Sequence, residues 1–509
     1  MQLYRWQRDC LNTWTDNGFR GIVHAVTGSG KTVLALSAID LLRAHFPDLR
    51  VKVVTPTVAL AQQWKSALLR HAPTEELRPG FFGGGVRDDP DKPVMLYVVN
   101  SARESLSAHI RRDFALRRHV LLICDECHHY PAPQNRRIFE FLPSEPASDG
   151  LYCSLGLSAT PFDADDGSIL TRALGRVIFQ YGFDAAASEG IVSPFAVCEV
   201  AASFLPQELA AYGELSDRLR ALTVRLFSEH PQLRHMESEA FLRRVGSIAR
   251  QSGMDPEEPA AAFLLAAYQR KQLSSLAQSR VRCGLGLLER LRDTDRVLIF
   301  CERIEQAACL SDAIRRRFGN VCGIYHSQMT REARVRNLQE YRDGQTRILI
   351  SCRSLDEGLD VPDANIGIVL SSTGAGRQRI QRLGRIIRSS PGKDFACLYY
   401  IYIRESSDNA AYLPGLEPCK NFSLRYYHAE NSFSNDLYEY IAGELLRRAE
   451  RQGMTQKQRR ELRRCLAEGL TRADCLLPAQ TLALRAKKAQ SVREKNYWNV
   501  MKAVATQML

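Results

Sequence analysis

The stretch Ala25-Val26-Thr27-Gly28-Ser29-Gly30-Lys31-Thr32 decides the reading of this chain. It lies between the apolar run Gly21-Ile22-Val23 and the helix-like run Val33-Leu34-Ala35-Leu36, so it reads as strand, glycine-rich turn, helix. Closely spaced glycines let main-chain N–H groups curl around an anion, because a side chain there would block the approach. The helix that follows adds the positive end of its dipole. In such a loop Thr27, Gly28, Ser29 and Gly30 form the cradle. Lys31 reaches the β- and γ-phosphates, and the Thr32 hydroxyl holds Mg²⁺. Ala25 stands where the commonest form of the motif has its first glycine. The motif alone says that a nucleoside triphosphate is bound. What the energy is used for must come from the rest of the chain.

With 509 residues, the chain has room for about two to four domains. Its 45% hydrophobic and 25% charged residues are those of a soluble globular protein, and its net charge of +12 favours a polyanionic partner. No apolar run approaches the ~20 residues that span a bilayer. The start, Met1 to Gln7, is not a signal peptide, so the cytoplasm is the expected location and no membrane partner is expected. The 14 cysteines are scattered, which fits reduced thiols better than a disulfide framework. Cys124-Asp125-Glu126-Cys127-His128-His129 resembles half a zinc site, but no second half follows. No nuclease cluster, internal repeat or low-complexity tract is evident, so any cutting would need a partner.

Read in order, the first part alternates strand and helix. Trp6, Gln7 and Trp14 mark an amphipathic helix. Val51 to Val54 is a buried strand ending in Thr55-Pro56-Thr57, and Leu60, Gln63, Trp64 and Leu68 mark the next helix. Phe81 to Gly85 reads as a loop where backbone can come close to something. Val94 to Val99, Val120 to Ile123 and Leu151 to Leu155 are further strands. This alternation predicts a parallel α/β sheet, whose ligands bind at the carboxyl ends of the strands. Asp125 and Glu126 follow such an end. Beside a phosphate loop, Asp125 can hold Mg²⁺ through water and Glu126 can take a proton from attacking water. Ser158-Ala159-Thr160 follows another strand end, with hydroxyls placed to sense the phosphate site.

The order of Gln7, A-V-T-G-S-G-K-T, T-P-T-x-A-L-A-Q-Q-W, D-E-C-H and S-A-T resembles that of superfamily-two helicases and translocases. Ser158 to Phe162 with the acidic Asp163 to Asp166 is similar to the XPB-like branch, shared with restriction-type DNA translocases. The resemblance covers about residues 3–200 and 285–403. It implies two RecA-like lobes and ATP-driven motion on nucleic acid. It also implies that Gln7 reads adenine, that Ser158 and Thr160 couple hydrolysis to movement, and that Thr55, Pro56 and Gly84 touch the phosphodiester backbone. Tyr4 stands where the branch usually has an arginine, with Arg5 one place on. The chain starts at the first motif, so the N-terminal recognition domain of the eukaryotic relative is expected to be lacking.

Leu209 to Leu226, Glu239 to Ala249 and Pro259 to Ser279 read as helices, an insertion between lobes. Its Arg218, Arg220, Arg225, Arg243, Arg244 and Arg250 could grip nucleic acid or form a solvated face. Strands return at Val297 to Cys301, Val321 to Tyr325, Arg347 to Cys352 and Ile366 to Leu370, and Tyr399 to Ile403 closes the last. In Gln378 to Arg388, Arg385 and Arg388 fall on one helix face, where a guanidinium pair can clamp a γ-phosphate. The same residues resemble the family's arginine-finger motif, and E-G-L-D-V-P its preceding motif. By that resemblance Gly358 and Asp360 sense nucleotide and Gln381 joins the contact between lobes. Residues 443–495 carry 14 Lys/Arg against 6 Asp/Glu, +8 of the chain's +12, in a basic helical stretch that can add phosphate contacts or dock on an acidic protein partner.

The expected fold is therefore α/β, with two tandem RecA-like parallel-sheet domains. Residues 1–200 form the first lobe, 201–285 a helical insertion, 286–403 the second lobe and 404–509 a basic helical region. The expected function is an ATP- and Mg²⁺-dependent helicase or translocase acting on DNA rather than RNA. An RNA helicase, or a nucleotide-dependent nucleic-acid-binding switch or scaffold that does not step, are the alternatives.

Overall fold

The computed structural model describes residues 3–71, 78–142, 150–159, 168–193, 195–291, 293–352, 364–371, 383–384, 386–387, 396–407 and 421–433. It also describes parts of 455–460 and 479–502. The chain forms two eight-stranded sheets, each with helices packed on it.

In the first lobe the strands are β1 (Arg20–Ala25), β2 (Arg50–Thr55), β3 (Gly80–Gly83), β4 (Val86–Arg87), β5 (Val94–Val98), β6 (Val120–Cys124), β7 (Tyr152–Ser158) and β8 (Val177–Tyr181). Their order is β4-β3-β5-β2-β6-β7-β1-β8, parallel throughout except for β4 on β3. The central strands are continuous apolar runs because helices cover both faces of a parallel sheet. The helices are α1 (Arg5–Asp16), α2 (Lys31–His45), α3 (Val58–His71), α4 (Val99–Ala115), α5 (Ile169–Leu174) and α6 (Phe183–Ser188). Trp6 and Trp14 fasten α1. One indole stacks on Tyr181 at 4.8 Å, and the other donates to the Ser154 carbonyl at 2.9 Å. Lys52 interrupts β2 with a buried charge, and Asp113 of α4 answers it at 2.7 Å.

The second sheet contains β9 (Phe195–Ala202), β10 (Val297–Cys301), β11 (Cys322–Tyr325), β12 (Ile348–Cys352), β13 (Ile366–Val369), β14 (Ala396–Ile403), β15 (Asn421–Tyr427) and β16 (Ser432–Phe433). Its order is β11-β12-β10-β13-β14-β9-β15-β16. This changes three expectations. The strand at 195–202 pairs in parallel with β14, so it is part of the second sheet rather than the end of a first lobe closing at residue 200. The region from 404 onward is not purely helical, because β15 adds to β9 and turns back through β16. Phe81 to Gly85 is a strand and a tight turn rather than a loop, with Gly84 and Gly85 at φ of +58° and +87° carrying the chain from β3 into β4.

Between β9 and β10 run α7 (Pro206–Glu229), α8 (Ser238–Gln251), α9 (Pro259–Leu276) and α10 (Gln278–Arg290). Leu226, Leu233, Val245, Ala249, Ala260 and Ala261 give the first three a small core of their own. The six arginines singled out in this insertion are all exposed. By contrast α10 packs on the second sheet, where the buried Arg280 donates to the Leu370 and Ile401 carbonyls at 2.7 Å each. Further on, α11 (Ile304–Phe318) and α12 (Arg331–Arg342) complete the second lobe, and α13 (Ala479–Lys488) lies in the basic C-terminal stretch. Among the described residues no helix is long and apolar enough to cross a membrane.

Candidate nucleotide site between two lobes

The glycine-rich turn lies at the carboxyl end of β1, and Gly30 caps α2 at φ +93°. Only glycine fits there. A β-carbon on Gly30 would stand 2.7 Å from the Gln7 amide nitrogen. That amide donates to the Gly30 carbonyl at 3.1 Å, while its oxygen accepts from the Tyr4 N–H at 2.9 Å. Gln7 is thus buried and braces the turn from behind. Ser29 also braces it, donating to the Val26 carbonyl at 2.7 Å. Lys31 curls over the loop, its Nζ 2.8 Å from the Ala25 carbonyl and 3.4 Å from that of Val26.

At the carboxyl end of β6, Asp125 is almost wholly buried. Its Oδ1 accepts from the Glu126 N–H at 3.0 Å and its Oδ2 from the Trp64 indole at 2.7 Å. Burial, and then the neighbouring Glu126 charge, push its pKa up to about 6, against the pull of Trp64 and Lys31. Glu126 takes a left-handed backbone, φ +48°, that favours glycine. Its carboxylate is 3.5 Å from His128 Nδ1. That same nitrogen shares a hydrogen bond of 2.9 Å with the Ser158 hydroxyl at the end of β7. Tyr130 pins the turn from below, donating to the Asp125 and Val54 carbonyls. Reading the sequence for acids and hydroxyls found Asp125, Glu126 and Ser158 but missed Trp64 and His128. The sequence shows His128 only as part of a half zinc pattern, which gives no sign of its pairing with Ser158.

The second lobe reaches this site through Gly384. A β-carbon there would fall on the Thr27 side chain, so the bare backbone at 384 lets the two lobes meet at the phosphate loop. Thr27 Oγ1 is buried there without a hydrogen-bond partner among the described residues. Nearby, the Ser193 N–H donates to the Ile387 carbonyl at 2.8 Å, joining the connection between lobes to the same segment. Thr160, Gly358, Asp360, Gln381, Arg385 and Arg388 lie outside the described residues.

A second cluster lies at the carboxyl ends of β2 and β3. Gly84 would bring a β-carbon 3.1 Å from Val58, the first residue of α3, so the glycine turn and Thr55-Pro56-Thr57 adjoin. The Thr55 hydroxyl is turned inward, bonding the Thr57 and Tyr97 carbonyls, so this surface offers main chain rather than that side chain.

The residues present fit a magnesium nucleotide. A glycine turn whose Gly30 takes a conformation that favours glycine, a lysine folded over it and a buried carboxylate that feels the Lys31 charge lie together at the carboxyl ends of β1 and β6, with the buried, unsatisfied Thr27 hydroxyl beside them. Two RecA-like sheets meeting at a phosphate loop suit a helicase, an enzyme that hydrolyses ATP. The comparisons support a likeness to the XPB-like, restriction-type branch. Residues 1–163 match the family of the type III restriction enzyme res subunit, and residues 279–390 match the helicase conserved C-terminal domain. The chain is 26% identical over 390 residues to the DNA 3'-5' translocase XPB2 of Sulfurisphaera tokodaii, covering 76% of this chain and 79% of that protein. It is 26% identical over 394 residues to a Rad25 protein of Haloarcula marismortui, covering 76% of this chain but only 51% of that longer relative. Among solved structures, the ATP-dependent Type ISP restriction-modification enzyme LlaBIII bound to DNA shares the fold. Its TM-score is 0.52 at 14% identity, over 98% of this chain and 37% of that one.

Proposed function

We propose that this chain is a DNA translocase or helicase that closes its two lobes on Mg²⁺–ATP and opens them after hydrolysis. The observation that carries the reading is the contact of Gly384 with Thr27, which brings the second lobe against the phosphate loop of the first. Lys31 and the N–H groups of the turn bind the phosphates, and Arg385 and Arg388 complete the clamp from the second lobe. Thr32 and Asp125 hold the magnesium ion, which supplies charge neutralisation on the phosphates when bound. Glu126 takes the proton of the attacking water, and Gln7 fixes the loop that faces the base. Gly358, Asp360 and Gln381 belong to the second-lobe half of the site, and Ser158 with Thr160 carries the change onward.

Thr55, Pro56 and Gly84 form the surface for the phosphodiester backbone. The choice of DNA is supported by the translocase relative, while the net charge of +12 suits either nucleic acid. A cytosolic location is part of the same reading, as is an acidic protein partner for the basic C-terminal helices. The test is the ATPase rate with single-stranded DNA, duplex DNA and RNA at one fixed salt concentration, because salt controls all such affinities. Stimulation by DNA is expected. Stimulation by RNA alone would overturn the substrate, and stimulation by neither would overturn the motor.

A further inference from the structure

Trp64 joins two parts of the molecule that the sequence treats as separate. It sits on α3, whose first residue, Val58, adjoins Gly84 and follows Thr55-Pro56-Thr57 directly. Six residues further along the helix, about 9 Å at 1.5 Å per residue, its indole N–H meets Asp125 Oδ2. The bond is 2.7 Å and both side chains are buried. The other carboxylate oxygen is held by the Glu126 main chain at 3.0 Å. An indole has one donor and no acceptor, and its buried ring is packed tightly enough that it has no other rotamer to relax into, so it moves with α3 and the carboxylate must follow it.

We propose that Trp64 is a positioning residue that links the strand-facing turn at the head of α3 to the orientation of the Asp125 carboxylate, so that seating nucleic acid on that turn aligns the magnesium-holding acid. This rests on the reading of Thr55-Pro56-Thr57 as a nucleic-acid contact. A helix is stiff along its axis, so a displacement imposed on Val58 moves the indole with it. Asp125 then turns about its own side-chain bonds, with Oδ1 anchored at the Glu126 N–H and Oδ2 drawn by the indole. The arrangement makes nucleic-acid stimulation, rather than nucleotide affinity, the property that depends on the indole nitrogen.

Trp64→Phe keeps the ring in the core and removes the donor. In this variant the stimulated-to-basal ATPase ratio should fall roughly ten-fold, the worth of one hydrogen bond to a charged group. Nucleotide KM should stay near that of the unaltered protein, and the thermal midpoint should fall only by the few degrees that one buried hydrogen bond is worth. Fluorine NMR of the unaltered protein with 5-fluorotryptophan gives a readout that needs no folded variant of Trp64. The resonance that moves in Asp125→Asn is that of Trp64, and single-stranded DNA added without nucleotide should shift it. A Trp64→Phe protein stimulated as strongly as the unaltered chain, or a Trp64 resonance indifferent to bound DNA, would overturn the link. An unaltered protein that no nucleic acid stimulates or binds would instead overturn the nucleic-acid reading itself.

Discussion

His128 and Ser158 share a hydrogen bond of 2.9 Å across the carboxyl ends of two neighbouring strands, and the same imidazole nitrogen is 3.5 Å from the Glu126 carboxylate. A proton acceptor and the end of β7 are thereby on one short polar path. Ser158→Ala should leave basal ATP hydrolysis within about three-fold while translocation, read by displacement of a DNA triplex, falls ten-fold or more. Equal losses in both would place Ser158 in the hydrolytic step instead.

Closure depends on the bare backbone at Gly384. Gly384→Ala puts a methyl group where Thr27 packs, and a closed core has no room for it. Stimulated ATPase should drop by roughly a hundred-fold, with nucleotide binding to the open form retained. Adding Thr27→Gly to the same chain should recover part of the loss, since it removes the side chain that the new methyl group strikes.

Asp125 gives a pH signature with a definite sign. Its pKa is raised to about 6 in the folded protein, above the usual carboxylate value, because burial disfavours the charge. Without nucleotide the ionised carboxylate therefore opposes folding at neutral pH, by about 3 kcal/mol at most. That cost is relieved as pH falls from above 6 towards 4. Asp125→Asn should lack this component, which the pH dependence of Tm in the two proteins will show. A bound cation would hold the carboxylate ionised to lower pH, so kcat/KM, which reports the free protein, should decline below pH ~6 before kcat does.

Glu126→Gln should bind ATP and retain it on DNA, with turnover reduced by at least about a hundred-fold as the proton acceptor disappears. Arg388→Ala should bind ATP with near-normal affinity and lose about a thousand-fold or more in rate, the range for an arginine finger. A rapid-quench burst distinguishes loss of chemistry from loss of release.

The buried Lys52–Asp113 pair governs stability, not catalysis. Asp113→Ala leaves an ammonium group in the core with its principal partner gone and should destabilise the first lobe by about 3–5 kcal/mol. Replacing both residues, as in Lys52→Met with Asp113→Leu, should cost far less. Urea denaturation of the two variants beside the unaltered protein checks the difference.

The first lobe was readable because its strands are buried on both faces. Gly21 to Val23 and Val120 to Ile123 stand out as unbroken apolar runs beside their motif residues, and Val51 to Val54 is interrupted only by Lys52. Gly80 to Gly83 escaped because four residues bounded by glycines look like a turn. Phe195 to Ala202 is apolar enough to be a strand, but its partner, Ala396 to Ile403, is about two hundred positions away, and strand order leaves no local trace. The same holds within the site. Asp125 and Glu126 announce themselves by type and position, whereas the pairing of Trp64 with Asp125 and of Thr27 with Gly384 arises only when distant segments are folded together.

The bond from Ser193 to Ile387 puts the covalent crossing between lobes one residue away, in sequence, from Arg388. A door whose latch is mounted beside its hinge needs little swing at the latch to open widely at the far edge. In this chain small displacements near the phosphate loop would be geared up into long excursions at the outer rims of the sheets, and on the proposed motor reading stride length would be set by the breadth of the lobes rather than by the dimensions of the nucleotide.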